Sequence, residues 1–356
     1  MEEVFDKNSI LDSHPHYVFV QKDKHGFAIF SKFRIPFDKT KHAIINNLKN
    51  DIIQSIKLLD SDNKTILLAR YGTTRKQGFY DIENILFYNI GTTHFNSLTK
   101  NGLMFSTVTS KELTNLHKKY NIPSDYYHYY EYSIIDSPKR VNFGYTLAKW
   151  KNISLKLSGL KTASVWLSFK QNKDLIEIFD KIDTYNGENF AIVLEIEKPR
   201  NIPLNLMTSL KPLLDGLICS FHSNEFDDNE LEYFSKKLNC HTDTLLDNEK
   251  NVLGYRSSKY LQIYRNNIRW NPADEFCNQV IIKVREGRCW NLSGTLYSNM
   301  ECPYCGKKKI ARLLYGLPRM TDELQQKINE LKIKLAGCLI DDNNPNYYCN
   351  WCKKTF

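Results

Sequence analysis

Apolar and polar positions alternate along the chain with two periods. From Tyr17 the pattern is strand-like: Tyr17-Val18-Phe19-Val20, a polar turn from Lys22 to Gly26, then Phe27-Ala28-Ile29-Phe30. Ile44, Ile45, Leu48, Ile52, Ile56 and Leu59 then recur every three or four residues, which places one apolar stripe on a helix. Asp38 to Thr40 offers N-cap side chains for it. Strands are expected at 65–71 and 85–90, flanking a polar loop at 72–78. A Tyr-rich connector follows at 100–140, with a helix at 111–120 that Pro123 ends. The pattern then starts over, predicting a strand at 165–169, a helix at 174–182 and a strand at 190–196 after the Asn186-Gly187 turn. An apolar stretch at 206–214 leads into another strand at 217–221. Residues 223–250 are acidic and read as a solvated helix plus loop, a surface insertion. Short strands at 260–264 and 280–284 flank the Trp270-to-Asp274 turn, and 291–299 reads as a polar hinge.

These elements predict a mixed α/β (α+β) fold with a two-unit body and a C-terminal zinc ribbon. The expected boundaries are an N-terminal α+β unit at 1–145, a second α+β unit at 146–295 carrying the insertion 223–250, and a ribbon at 301–356. At 356 residues the chain exceeds what one core usually supports.

The ribbon rests on four cysteines. Cys302-Pro303-Tyr304-Cys305-Gly306 and Cys349-Asn350-Trp351-Cys352 are two CxxC knuckles. Four thiolates from two such turns form a tetrahedral cage suited to Zn²⁺, and a Cys₄ set leaves no coordination position open for catalysis. Gly306 supplies the permissive backbone of the first turn. The 43 residues between the knuckles exceed the usual ribbon spacing and carry elements of their own. A strand is expected at 309–315. Thr321 can cap a helix with Asp322 and Glu323 in its first turn, Lys332 and Lys334 near its end and Gly337 as its stop. A return strand at 339–340 and an Asn343-Asn344-Pro345 turn then lead to the second knuckle.

Together, CPYCG, LLYGLP, a charged helix, AGC, the Asp-Asn-Pro turn and YYCNWC resemble a small zinc-ribbon module of uncharacterised bacterial proteins. The resemblance covers about the last 56 residues and implies metal binding through Cys302, Cys305, Cys349 and Cys352. It also marks Cys338 as a recurring small core residue.

Charge adds one feature. The net charge is +9, and residues 301–356 hold ten Lys/Arg against six Asp/Glu. Lys307, Lys308, Lys309, Arg312, Arg319, Lys353 and Lys354, with Trp351, Tyr304 and Tyr347, make a basic and aromatic set. Cations fix phosphates and aromatics stack on bases. The same residues also suit a folding staple with a solvated basic face.

Other chemistry is sparse. The Tyr-rich stretch around His128 places Asp125 and Glu131 nearby; on a strand, Tyr127, Tyr129 and Glu131 share one face and Tyr126, His128 and Tyr130 the other. Asp81, Glu83, Glu195, Asp215 and His222 lie at expected strand ends, where carboxylates can gather around Mg²⁺. No Walker loop, GxGxxG, HExxH or GxSxG occurs. The first residues lack a secretory pattern, and no apolar run has the length of a membrane span. Nine cysteines, five of them (Cys219, Cys240, Cys277, Cys289, Cys338) expected as free buried thiols, fit a reducing cytoplasm.

The leading expectation is a cytoplasmic zinc-ribbon protein that binds DNA or RNA. The alternatives are an enzyme on nucleic acid or nucleotides with a carboxylate/His site in the body, and a non-catalytic subunit whose ribbon docks on a protein.

Overall fold

A computed structural model describes residues 16–37, 42–62, 64–75, 81–136, 141–155, 160–184, 187–223, 225–246, 251–254, 259–338 and 344–356. The chain divides into two compact units, 1–137 and 138–356. It is a mixed α/β protein.

In the first unit, β1 (Tyr17–Lys22), β2 (Gly26–Ser31), α1 (Ala43–Lys57), β3 (Ile66–Thr73), β4 (Gly102–Thr107), α2 (Ser110–Tyr120) and β5 (His128–Ile135) follow in order. The strands lie in the order β1-β2-β5-β3-β4, antiparallel except for the β3/β4 pair. Helix α2 is well signalled. Thr109 accepts the Glu112 amide at one end, and Asn121 takes a left-handed conformation at the other, before Pro123 is reached. Leu113 of α2 packs with Ala28, Phe30 and Tyr129 on one sheet face. Arg70 on that face bonds both Glu131, its cross-strand neighbour, and Glu112 of α2. On the other face Tyr132 packs against Phe27 and Phe95, and Phe87 against Phe95 and Phe105.

Two expectations in this unit are corrected. The apolar run 85–90 is a π-helical turn, Asn84–Tyr88, in which Ile85, Leu86 and Phe87 are all buried; a short, wholly buried run carries no period to separate helix from strand. The residue before α1 is His42, whose side chain makes no cap bond, and Asp38 to Thr40 lie outside the described residues.

The second unit runs β6 (Thr146–Ser154), α3 (Thr162–Gln171), β7 (Ile176–Ile178), β8 (Phe190–Pro199), α4 (Leu206–Ser220), α5 (Asp228–Leu238), α6 (Thr242–Leu246), β9 (Leu261–Tyr264), β10 (Asn267–Trp270), β11 (Cys277–Gly287) and β12 (Asn291–Ser298). Its strands lie in the order β11-β8-β12-β6-β7, with only β11/β8 parallel. The expected hinge 291–299 is instead β12, at the middle of this sheet. Its Gly294 is needed because a Cβ there would meet the Trp150 indole at 2.6 Å. The predicted strand 165–169 is α3, with Val165, Trp166 and Phe169 buried one turn apart. The predicted helix 174–182 is a 3₁₀ turn followed by β7. Residues 206–220 are one helix that carries Pro212 inside it, so no strand exists at 217–221.

Helices α3 and α4 pack closely because Gly216 presents no side chain; a Cβ there would lie 2.5 Å from the Thr162 carbonyl oxygen. Gly216→Ala is therefore expected to destabilise the protein by about 1–3 kcal/mol, read from the urea midpoint. The acidic segment also contributes to the core. A capping box of Asp227 and Glu230 starts α5, and Phe234, Leu238 and Leu245 bury against Trp166, Cys219 and Tyr260.

The last part of this unit holds β13 (Ile310–Leu314), α7 (Asp322–Asn329), β14 (Ile333–Leu335) and β15 (Tyr347–Cys349), with β14 parallel and β15 antiparallel to β13. Thr321 caps α7 as its sequence implies. The helix ends well before Gly337, so Lys332 precedes β14 and Lys334 lies in it. Residues 339–340 lie outside the described residues. Cys219 and Cys277 are buried, but Cys289 and Cys338 are exposed, so Cys338 is no core residue.

Candidate metal centre

The two knuckles repeat one backbone turn. Cys302 N–H donates to the Lys307 carbonyl, and Gly306 N–H returns to the Cys302 carbonyl. In the second knuckle Cys349 N–H donates to Lys354, and Lys353 N–H to Cys349. Both turns close through a residue of positive φ, Gly306 at 71° and Lys353 at 62°. Only the first has the residue type that suits this conformation. Lys353→Gly is expected to relieve the left-handed strain and stabilise the ribbon by about 0.5–1 kcal/mol; a chelator titration should then need more competitor to strip metal.

Strand pairing brings the turns together. Ile310 lies opposite Cys349, so the start of β13 and the end of β15 place one knuckle beside the other. The four sulfurs lie within 4.8 Å of one another, with Cys302–Cys352 at 3.5 Å and Cys305–Cys349 at 3.6 Å. Four sulfurs about 2.3 Å from one tetrahedral ion would be about 3.8 Å apart, whereas a disulfide would need about 2.05 Å. Spacing and donor chemistry therefore fit one thiophilic metal ion, zinc among them.

Burial raises the Cys302 thiol above its ordinary value, against the amides of Cys305 and Tyr304. At Cys349 burial acts the same way, but the amides of Cys352 and Trp351 outweigh it and lower the thiol. A bound cation would favour the thiolate at all four positions.

The ribbon sits on its own unit's body through contacts that no local sequence signal marks. Glu188 is only 7% exposed. It accepts Arg312 Nε at 2.9 Å and Nη2 at 2.5 Å, the Tyr347 hydroxyl at 3.0 Å and the Asp183 amide at 2.9 Å. Asp180 faces Lys332 at 3.7 Å and Lys327 at 4.0 Å. The Leu331 carbonyl accepts from both the Tyr145 hydroxyl and Asn350 Nδ2, each at 2.8 Å. A cavity of about 80 Å³ remains at this junction. The Glu188–Arg312 pair is 124 positions apart, which is why sequence reasoning missed it.

The basic and aromatic candidates divide. Arg312 is held by Glu188, and Lys308 pairs with Glu301 at 3.3 Å. Lys307, Lys309, Arg319, Lys353 and Lys354 are exposed. Tyr304 and Trp351 are 52% and 67% exposed. A lysine of the opposite knuckle lies over each ring, Lys354 at 4.7 Å from Tyr304 and Lys307 at 5.1 Å from Trp351.

Of the body candidates, Asp81 and Glu83 come together, with carboxylate oxygens within 4.8 Å of one another. The Asp81 carboxylate accepts from Asn84 Nδ2 at 2.6 Å, and Glu83 is buried. His128 is buried on β5 with Nδ1 2.9 Å from the Tyr71 hydroxyl. Burial, aided by Arg75 and Arg34, lowers its pKa to about 3, so the ring is neutral near pH 7. Tyr129 bonds Glu131 on the opposite face, as strand alternation requires. Glu195 and Glu197 both pair with Arg285. Asp215 lies on α4, one turn from Lys211 at 3.5 Å. His222 Nδ1 is 3.0 Å from the Gly254 carbonyl, which can only accept, so Nδ1 carries the proton. Among the described residues, no group of three metal-ligating side chains within 4.8 Å contains His128, Glu195, Asp215 or His222.

No family model matches the chain, and searches of curated proteins and of solved structures return no match. Among the described residues no helix is long and apolar enough to cross a membrane.

Proposed function

We propose that the ribbon is a closed structural zinc site whose knuckle end contacts single-stranded DNA or RNA, making the protein a nucleic-acid-binding component. The observation that carries this reading is the paired Tyr304/Lys354 and Trp351/Lys307 surface. Two exposed rings, each beside a cation, offer a base a stacking face and its phosphate a charge. Lys309 and Lys353 extend the positive surface. The Cys₄ set would hold the metal without a free position, so the metal would fix the knuckles and leave the contact chemistry to the side chains.

Labelled twelve-nucleotide oligo(dT) and oligo(U), titrated at several salt concentrations, test this. Binding should weaken steeply as salt rises, and Trp351→Ala with Tyr304→Ala should lower affinity at least tenfold. Salt-independent binding, or none at 50 mM salt, would reject the ligand assignment.

A second reading, docking on a protein, is favoured by Leu317 at 90% exposure and by the exposed Met320 in the same loop. It predicts that Leu317→Ser abolishes partner capture and leaves oligonucleotide binding unchanged.

A further inference from the structure

The hairpin β9–β10 is a sheet of its own, apart from the main sheet of this unit. Asn267 lies opposite Tyr264, Ile268 opposite Ile263, Arg269 opposite Gln262 and Trp270 opposite Leu261. Its two-residue loop is Arg265-Asn266, both at positive φ, 48° and 61°, as a tight hairpin of right-handed twist requires. Alternation sends Leu261, Ile263, Ile268 and Trp270 to one face. On that face Leu261, Ile268 and Trp270 pack into the cluster of Trp166, Phe234 and Tyr260. Residues 263–267 are all exposed, Ile263 at 44%, so the tip projects past the cluster.

The outward face carries Gln262, Tyr264, Asn267 and Arg269, with Arg265 at the turn. Its charge has one sign. Residues 251–273 contain Arg256, Lys259, Arg265 and Arg269 and no Asp or Glu. Helix α5, which bears carboxylates, joins the hairpin on the inward face through Phe234 and Leu238, and its Glu230 neutralises Lys259 at the hairpin's root. Arg265 and Arg269 form no ion pair among the described residues. Each guanidinium lies over the Tyr264 ring instead, at 5.2 Å and 5.7 Å from its centroid, and that ring is 49% exposed. The two amides are held in place by backbone carbonyls. Gln262 Nε2 donates to Lys259 at 3.2 Å and Asn267 Nδ2 to Arg265 at 3.3 Å, which leaves each amide its oxygen and a second N–H.

We infer that this hairpin is a contact for duplex DNA, with its outward face laid in the major groove. Charge and side-chain chemistry select the occupant. Two unneutralised guanidiniums take phosphate oxygens or the O6 and N7 of guanine, and an amide with a free oxygen and N–H is the partner of an adenine edge. A carboxylate-rich peptide would match the arginines in charge and make no comparable use of the amides. Shape agrees, because the major groove of B-form DNA admits a two-stranded ribbon. The deep, narrow major groove of an RNA duplex does not. This contact shares no residue with the zinc knuckles and takes a double strand, so it stands independently of the single-strand reading.

The test uses the full chain and a labelled sixteen-base-pair DNA duplex at 50 mM salt. Arg265→Gln/Arg269→Gln should weaken binding at least tenfold and flatten the log–log salt slope by about two, as loss of two phosphate contacts requires. Both positions are exposed, so the melting curve should not move; Arg265→Lys/Arg269→Lys should keep the slope in a chain folded by the same criterion. Trp351→Ala/Tyr304→Ala should leave duplex affinity unchanged, whatever it does to oligo(dT). An RNA duplex of the same length should bind at least tenfold more weakly. Wild-type affinity in the Gln variant, or loss of duplex binding in the knuckle variant alone, would overturn the hairpin contact and leave the knuckle surface standing. Equal affinity for the RNA duplex would overturn the groove assignment. Competition by poly-glutamate equal to that by unlabelled DNA duplex would identify an acidic peptide as occupant and overturn it too.

Discussion

Cys349→Ser is expected to abolish metal binding and unfold residues from about 301 onward, while the remaining sheet of that unit stays folded. The magnitude follows from the size of the ribbon's core. Among the described residues of 301–356, only Cys302, Ile310, Ala311 and Cys349 are buried, with Tyr347 and Phe356 partly so. Burying one aliphatic side chain contributes about 1.5–3 kcal/mol, whereas ordering costs about 1.5 kcal/mol for every residue fixed. A structural zinc site contributes an apparent 10–16 kcal/mol or so in small metal-dependent domains, and no other interaction in the ribbon approaches that. Limited proteolysis should cut the variant within 301–356 at protease concentrations that leave the wild type intact. Equal resistance of the two proteins would show that the ribbon folds without its metal.

Glu188→Ala should produce the largest loss of stability outside the cysteines. It removes the acceptor of Arg312, of the Tyr347 hydroxyl and of the Asp183 amide at once. Breaking a fully buried ion pair costs about 3–5 kcal/mol. Arg312 keeps 45% of its side chain exposed and can regain water, so about 2–3 kcal/mol is expected, read from the urea midpoint. Arg312→Ala/Glu188→Ala should then be no less stable than Glu188→Ala alone, because the second change removes the cation that the first leaves unpaired. Additive losses in that double-mutant cycle would show that the pair does not hold the ribbon to the body.

The parts of the fold that were legible in sequence are those with a repeated signal. The stripe from Ile45 to Ile56 gave α1, the helix expected at 111–120 is α2, and Thr321 starts α7. The failures share a physical cause. Residues 85–90, 165–169 and 217–221 are short apolar runs buried on every side, and such runs look alike whether they coil or extend. Pro212 interrupts the pattern of α4 without breaking the helix. At β12 the Gly and Ser content suggests a hinge, yet Gly294 is there to admit the Trp150 ring. The cysteine cluster was legible because CxxC encodes its own turn and two turns suffice for a cage. Glu188 and Asp180 were not, since their partners lie more than a hundred positions away and only the folded chain brings them together.

The central claim is that Cys302, Cys305, Cys349 and Cys352 jointly bind one ion. X-ray absorption at the zinc edge on protein purified with sub-stoichiometric zinc tests it most directly. The expected spectrum is a single shell of four sulfurs at about 2.3 Å, with one zinc per chain at saturation. A shell containing nitrogen or oxygen, or fewer than four sulfurs, would contradict it.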